Sequence, residues 1–192
     1  WSRPNAFGVG VPFRFPASPD CGSGLTPEGE ALVRECNRLR MLVDCSHITE
    51  RGFWDVARVS TAPLVATHSN AHALSASSRN LTDEQLRAIG ASRGMAGLNF
   101  ATGFLRADGL WSHNTDASVM IRHLAHMIEM AGEDCVGLGS DFDGARIPGF
   151  IKDASGLPNL VKAMHEAGFG DGLVAKITHG NWLRVLEETW GA

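Results

Sequence analysis

The chain has 192 residues, 44% hydrophobic and 20% charged, which is enough for one globular domain and short for two. Lys+Arg 17 against Asp+Glu 21 gives a formal net charge of -4, so no basic excess points to a nucleic-acid backbone as partner. No apolar run approaches the roughly 18 residues of a spanning helix, and four scattered cysteines, none in a C-x-x-C pair, do not make a disulfide framework.

Residues 1–25 hold Pro4, Pro12, Pro16 and Pro19 without helical or strand period, and are expected to form an ordered or lid-like loop. Thr26-Pro27 then opens a helix to about residue 40, with Ala31, Leu32, Glu35, Cys36 and Leu39 at helical spacing. The run Met41 to His47 reads as a first strand, followed by Thr49 and a helical stretch with Phe53, Trp54, Val56 and Ala57. The unit recurs. Pro63 to His68 is a second strand, and Thr82 with Gln85 forms a capping box ahead of Leu86 to Ala91. Gly94 to Phe100 is a third strand, followed by a polar loop through His113 and a helix from Ala117 to Ala131. Val136 to Asp141 is a fourth, followed by a Gly/Pro-rich loop and separate helices near 157–167, 172–178 and 181–190.

Short apolar runs alternating with helices predict an α/β fold built of about four βα units around a buried parallel sheet. A (β/α)8 barrel needs eight strands and typically ~250 residues, so length alone prefers an open sheet. Against the open sheet, no G-x-G-x-x-G or Walker-type loop follows any strand.

The four strands end in His47, His68, Asn99 and Asp141, and in parallel α/β folds such ends share one rim. Two imidazoles and a carboxylate on that rim suggest zinc and hydrolysis. Blander roles compete. Each histidine is alternatively a hydrogen-bonded structural residue, Asp141 or Asp143 a cap for the following turn, and Arg79 a solvated loop cation. His72, His113, His123, His126 and His165 are expected to be structural. Asp44 alternates to the other strand face and is expected to support a ligand or to pack.

Several segments together resemble one family. They are Gly24-Leu25-Thr26-Pro27 with Asn37-Arg38-Leu39, Val43-Asp44-Cys45-Ser46-His47, Ala66-Thr67-His68-Ser69-Asn70-Ala71 and Ser78-Arg79-Asn80. Gly139-Ser140-Asp141-Phe142-Asp143-Gly144 and Gly180-Asn181-Trp182-Leu183-Arg184-Val185 complete the set. In order and approximate spacing they resemble the renal (membrane) dipeptidase family of zinc peptidases. The resemblance implies an amidohydrolase-type (β/α)8 TIM barrel with two zinc ions and a bridging water, cleaving dipeptides. By motif it makes His47 and His68 ligands of one zinc, Arg79 the holder of the substrate's terminal carboxylate and Asp141 the residue that handles protons at the scissile bond.

The family's His-x-Asp ligand pair, its bridging glutamate and its carbonyl-polarising histidine have no match in the 192 residues. The resemblance therefore implies the C-terminal half of a single barrel domain, with residues 1–25 as loop and 26–192 as βα units and C-terminal helices. A complementary N-terminal half is the expected partner beside a dipeptide substrate, and activity is expected only with that half. A homo-oligomer is allowed, no membrane segment is in view, and the compartment stays open with a lean to the cytoplasm. Two rival readings are a degenerate barrel fragment that only binds, and an amidohydrolase acting on a non-peptide amide.

Overall fold

The computed structural model describes residue 1 and residues 3–191. Local capping chemistry sets the helix starts. Thr26 Oγ1 accepts the Gly29 N–H at 3.1 Å ahead of α1 (Pro27–Arg38), whose first position suits proline. Arg40 then turns left-handed at φ 57, and the Met41 N–H reaches back to the Cys36 carbonyl. Thr49 caps α2 (Glu50–Val59) in the same way as Thr26 caps α1. β1 (Val65–Ala66) follows. The reciprocal Thr82 and Gln85 box opens α3 (Asp83–Ala91) as expected.

β2 (Met95–Leu98) is followed by the single turn α4 (Thr102–Leu105), which the polar loop did not foreshadow. Asp116 caps α5 (Ala117–Ala131), which stops at Gly132 with φ 90, and β3 (Val136–Leu138) comes next. α6 (Leu157–Glu166) then leads to α7 (Asp171–Ala175). The two separate helices expected over 172–190 are in fact one helical run, because α7 passes through a π-helical stretch, Lys176–Gly180, into α8 (Asn181–Trp190). Polar groups on either side of the expected gap are both satisfied. Thr178 Oγ1 donates to the Val174 carbonyl at 2.8 Å, and Asn181 Nδ2 donates to the Glu133 and Val136 carbonyls.

The sheet is parallel in the order β1-β2-β3, with Val65 opposite Met95, Ala96 opposite Val136 and Leu98 opposite Leu138. The expected first strand, residues 41–47, contributes only one parallel bridge, Asp44 to Val65. The cause is a side chain. After the Cys45 N–H donates to the Val65 carbonyl, a regular parallel ladder would pass the Thr67 N–H to the Cys45 carbonyl. Here the Thr67 N–H goes to Asp44 Oδ1 at 2.9 Å, and the Cys45 carbonyl takes the Ile48 N–H instead. One face of the sheet, through Ala96, Leu98 and Val136, joins the core of α3, α5 and α6. The other, through Val65 and Met95, packs on Trp182, Val185 and Leu186 of α8. In the N-terminal loop the Val11 N–H bonds to the His47 carbonyl, and Pro12 and Arg14 are tied to the Ser78 hydroxyl.

His123 stitches this core to the rim of the sheet. It is 1% exposed on α5, accepts the Ala71 N–H on Nδ1 and so donates from Nε2 to the Leu105 carbonyl at 2.9 Å. Burial lowers its pKa from 6.5 to about 4. A group whose folded pKa is depressed protonates first in the unfolded chain, so stability is full above pH 6.5 and is lost as pH falls towards 4. The loss should be on the order of 3 kcal/mol. Urea unfolding between pH 7 and pH 4 checks this, because His123→Gln should flatten that part of the pH profile, and an unchanged slope would remove His123 as its cause.

Candidate metal centre

His47, His68 and Asp141 lie at the C-terminal rim of the sheet, and the Arg79 guanidinium reaches that rim from the loop between β1 and α3. His47 follows the Asp44 bridge and takes φ 68, and His68 comes two residues beyond β1. Their ring centroids are 5.0 Å apart, with planes inclined at 60°. Burial lowers the pKa of His47 to about 3, with the Arg79 charge and the second imidazole adding to the effect, and it lowers His68 in the same direction. Both rings therefore stand neutral with lone pairs to offer, the form in which imidazole binds a metal.

The surroundings hold His68 closely. Its N–H donates to Ser46 Oγ at 3.0 Å, and its Nδ1 lies 2.7 Å from Thr67 Oγ1. Thr67 Oγ1 is in turn 2.7 Å from Asp44 Oδ2. Asp44, expected to support a ligand or to pack, is thus tied to His68 through the Thr67 hydroxyl. Two glycines let the strand ends meet here. A Cβ on Gly97 would stand 2.0 Å from the Thr67 carbonyl oxygen, and one on Gly139 would stand 2.2 Å from the same atom and 2.9 Å from His68 Cα.

Asp141 sits beyond β3 on a backbone turned left-handed at Ser140 (φ 30) and Asp141 (φ 71). Its Oδ2 accepts from Asn99 Nδ2 at 3.0 Å. Asn99 is itself locked, since Asn70 Oδ1 takes its N–H and Asn70 Nδ2 donates to its carbonyl. Asn99 was visible in the sequence as a strand end, but its hold on Asp141 was not. Asp143 is exposed, and the turn is closed by the Asp141 carbonyl accepting the Gly144 N–H, so the expected capping by Asp143 is not what is found.

Arg79 is no solvated loop cation, because it is only 5% exposed. Its guanidinium lies 5.4 Å from the Phe104 ring centroid, in a cluster that Phe13 and Trp111 complete. Nη2 donates to the His68 carbonyl at 3.3 Å, while Nε is buried without a partner. Burial brings its pKa down to about 10, the charges of Asp141 and Asp44 opposing the effect. No ion pair of Arg79 exists among the described residues, and a buried guanidinium so placed calls for an anion.

The donor set fits a metal in part. Among the described residues no three His, Cys, Asp or Glu side chains come together around one point, so His47 and His68 offer two imidazoles and a zinc ion would need further donors. The five histidines expected to be structural accept or donate to the fold instead, as with His72 to the Ala17 carbonyl, His113 to the Ile147 carbonyl and His126 to Asp83.

Comparison with known proteins agrees in fold and family. Residues 5–191 match the family described as Membrane dipeptidase (Peptidase family M19). The crystal structure of a dipeptidase AC, a metallopeptidase of family M19, superposes with a TM-score of 0.99 at 59% identity over 100% of this chain and 57% of that one. A metallopeptidase from Rhodobacter sphaeroides, liganded with a phosphinate mimic of the dipeptide L-Ala-D-Ala, gives 0.98 at 59% identity over 99% and 54%. An uncharacterized protein encoded in the pqqA 5' region of Klebsiella pneumoniae is 48% identical over 190 residues, 99% of this chain and 70% of that protein. The chain thus spans little more than half the length of these two solved relatives. On the family match and the identities together, the chain belongs to the membrane dipeptidase family, peptidase family M19.

Proposed function

We propose that this chain is the C-terminal part of a (β/α)8 barrel and that the full-length protein carrying it is a zinc-dependent dipeptidase. The observation that carries the reading is Arg79, a buried guanidinium with an unpaired Nε beside two neutral imidazoles. A short substrate with a free C-terminal carboxylate supplies the anion this pocket lacks, and the Rhodobacter sphaeroides relative carries a mimic of such a substrate. Partial coverage of the solved relatives, and a three-stranded sheet in place of eight strands, support a complementary N-terminal segment that closes the barrel and completes the donor set.

His47 and His68 would hold one zinc, and a second would depend on donors from the N-terminal segment. Zinc, when bound, supplies Lewis acidity that polarises a carbonyl and lowers the pKa of a water towards 7. The remaining work falls to this chain's side chains. Arg79 pairs its planar fork with the substrate carboxylate and fixes the distance from the C-terminus to the scissile bond. Asn99 holds Oδ2 of Asp141, and Oδ1, which accepts no hydrogen bond among the described residues, takes the proton of the attacking water and delivers it to the leaving amine. The aromatic group of Phe13, Phe104 and Trp111 screens Arg79 from water, which strengthens the carboxylate contact.

Elemental analysis tests the metal half of this reading. His68→Ala in the full-length protein should lower zinc occupancy while circular dichroism stays near wild type. Unchanged zinc content would sink the assignment.

A further inference from the structure

We infer that Asp44 is a positioning residue that acts through the Thr67 hydroxyl to hold His68 as its Nδ1–H tautomer, so that Nε2 is the ring atom presented to the metal. This rests on the metal-centre reading above and specifies which atom of His68 serves it.

Proton counting fixes the direction of each bond. The Asp44 carboxylate accepts three times, from the Ser46 and Thr67 N–H groups on Oδ1 at 2.9 Å and from the Thr67 hydroxyl on Oδ2 at 2.7 Å. Thr67 has one hydroxyl proton, and Asp44 takes it. The 2.7 Å contact between Thr67 Oγ1 and His68 Nδ1 must then use a ring proton, with the hydroxyl oxygen accepting. The reverse arrangement would set the Asp44 and Thr67 oxygens 2.7 Å apart with no proton between them. Ser46 Oγ, 3.5 Å from Thr67 Oγ1, is too far to take over either role well. A proton on Nδ1 leaves the lone pair on Nε2, and a carboxylate behind a ligating histidine raises the basicity of the coordinating nitrogen.

Asp44 also ends the sheet edge, through its two N–H bonds on Oδ1, so replacing it would mix folding with positioning. Thr67→Val separates them, because it keeps the shape of the side chain and the backbone bonds and removes only the hydroxyl. In the full-length protein labelled at histidine with nitrogen-15, two-bond proton–nitrogen correlations after zinc removal should show His68 with its proton on Nδ1, the signal being assigned by its loss in His68→Gln. Thr67→Val should move that proton to Nε2, the form a free histidine ring prefers, and Thr67→Ser should restore it. By competition with a chromophoric chelator, zinc should bind Thr67→Val roughly 10- to 100-fold more weakly and Thr67→Ser nearly as tightly as wild type.

A wild-type ring protonated at Nε2, or a Thr67→Val ring still protonated at Nδ1, overturns the inference. So does unchanged zinc affinity in a Thr67→Val protein whose tautomer has switched, provided His68→Gln loses zinc. If His68→Gln binds zinc as wild type while Thr67→Val still switches the tautomer, the hold on the ring stands and the metal role of His68 falls, so the two ideas fail separately.

Discussion

Asp141→Asn in the full-length protein is expected to lower kcat on a dipeptide by roughly 10²- to 10⁴-fold with zinc content close to wild type. The substitution keeps the shape of the side chain and leaves an oxygen for Asn99 Nδ2, so the turn that carries it, with Ser140 and Asp141 both left-handed, has no cause to rearrange. What disappears is a group able to bind a proton between the attack of water and the departure of the amine. Steady-state kinetics with elemental analysis on one preparation separates the outcomes. Zinc lost together with activity would make Asp141 a ligand, and activity retained with zinc in place would remove it from proton transfer.

Arg79→Ala should raise KM for dipeptides by about 2 kcal/mol or more, roughly thirtyfold, while hydrolysis of a C-terminally amidated analogue hardly changes. The selectivity follows from the burial. Arg79 pairs with no carboxylate among the described residues, so its removal strands no internal anion, and the loss should fall mainly on a ligand that brings one. Arg79→Lys should rescue poorly, because an ammonium cannot offer two parallel N–H bonds to a carboxylate. Equal losses on the dipeptide and its amide would show Arg79 to be structural.

Helix starts were legible because their signals are local. Thr26-Pro27 and the Thr82 and Gln85 box each carry their mechanism within four residues, and each stands where expected. That His47, His68 and Asp141 would share one rim was legible from their places at the ends of apolar runs, since parallel topology brings such ends together. The first strand misled because Met41 to Cys45 has the composition of a buried strand, yet Asp44 takes a ladder bond with its side chain. Composition does not show which acceptor an N–H will choose. The bonds of Thr67 and Asn99 escaped for a related reason, since their partners Asp44 and Asp141 lie 23 and 42 positions away. The π-helical stretch before Asn181 escaped because Asn181 is held by the carbonyls of Glu133 and Val136, a tether invisible in the run of residues around it.

The glycines at 97 and 139 carry a final consequence. Because bare backbone meets backbone there, the separation of the Thr67–His68 corner from the strands leading to Asn99 and Asp141 is set by contacts that have no rotamers to exchange. Side-chain packing elsewhere in the core can drift through substitutions of similar volume, and the pitch between the imidazole end and the carboxylate end of the rim stays as the peptide planes dictate. Substitutions in the loops that carry Phe13 and Trp111 can therefore change what surrounds the rim without changing the spacing along it.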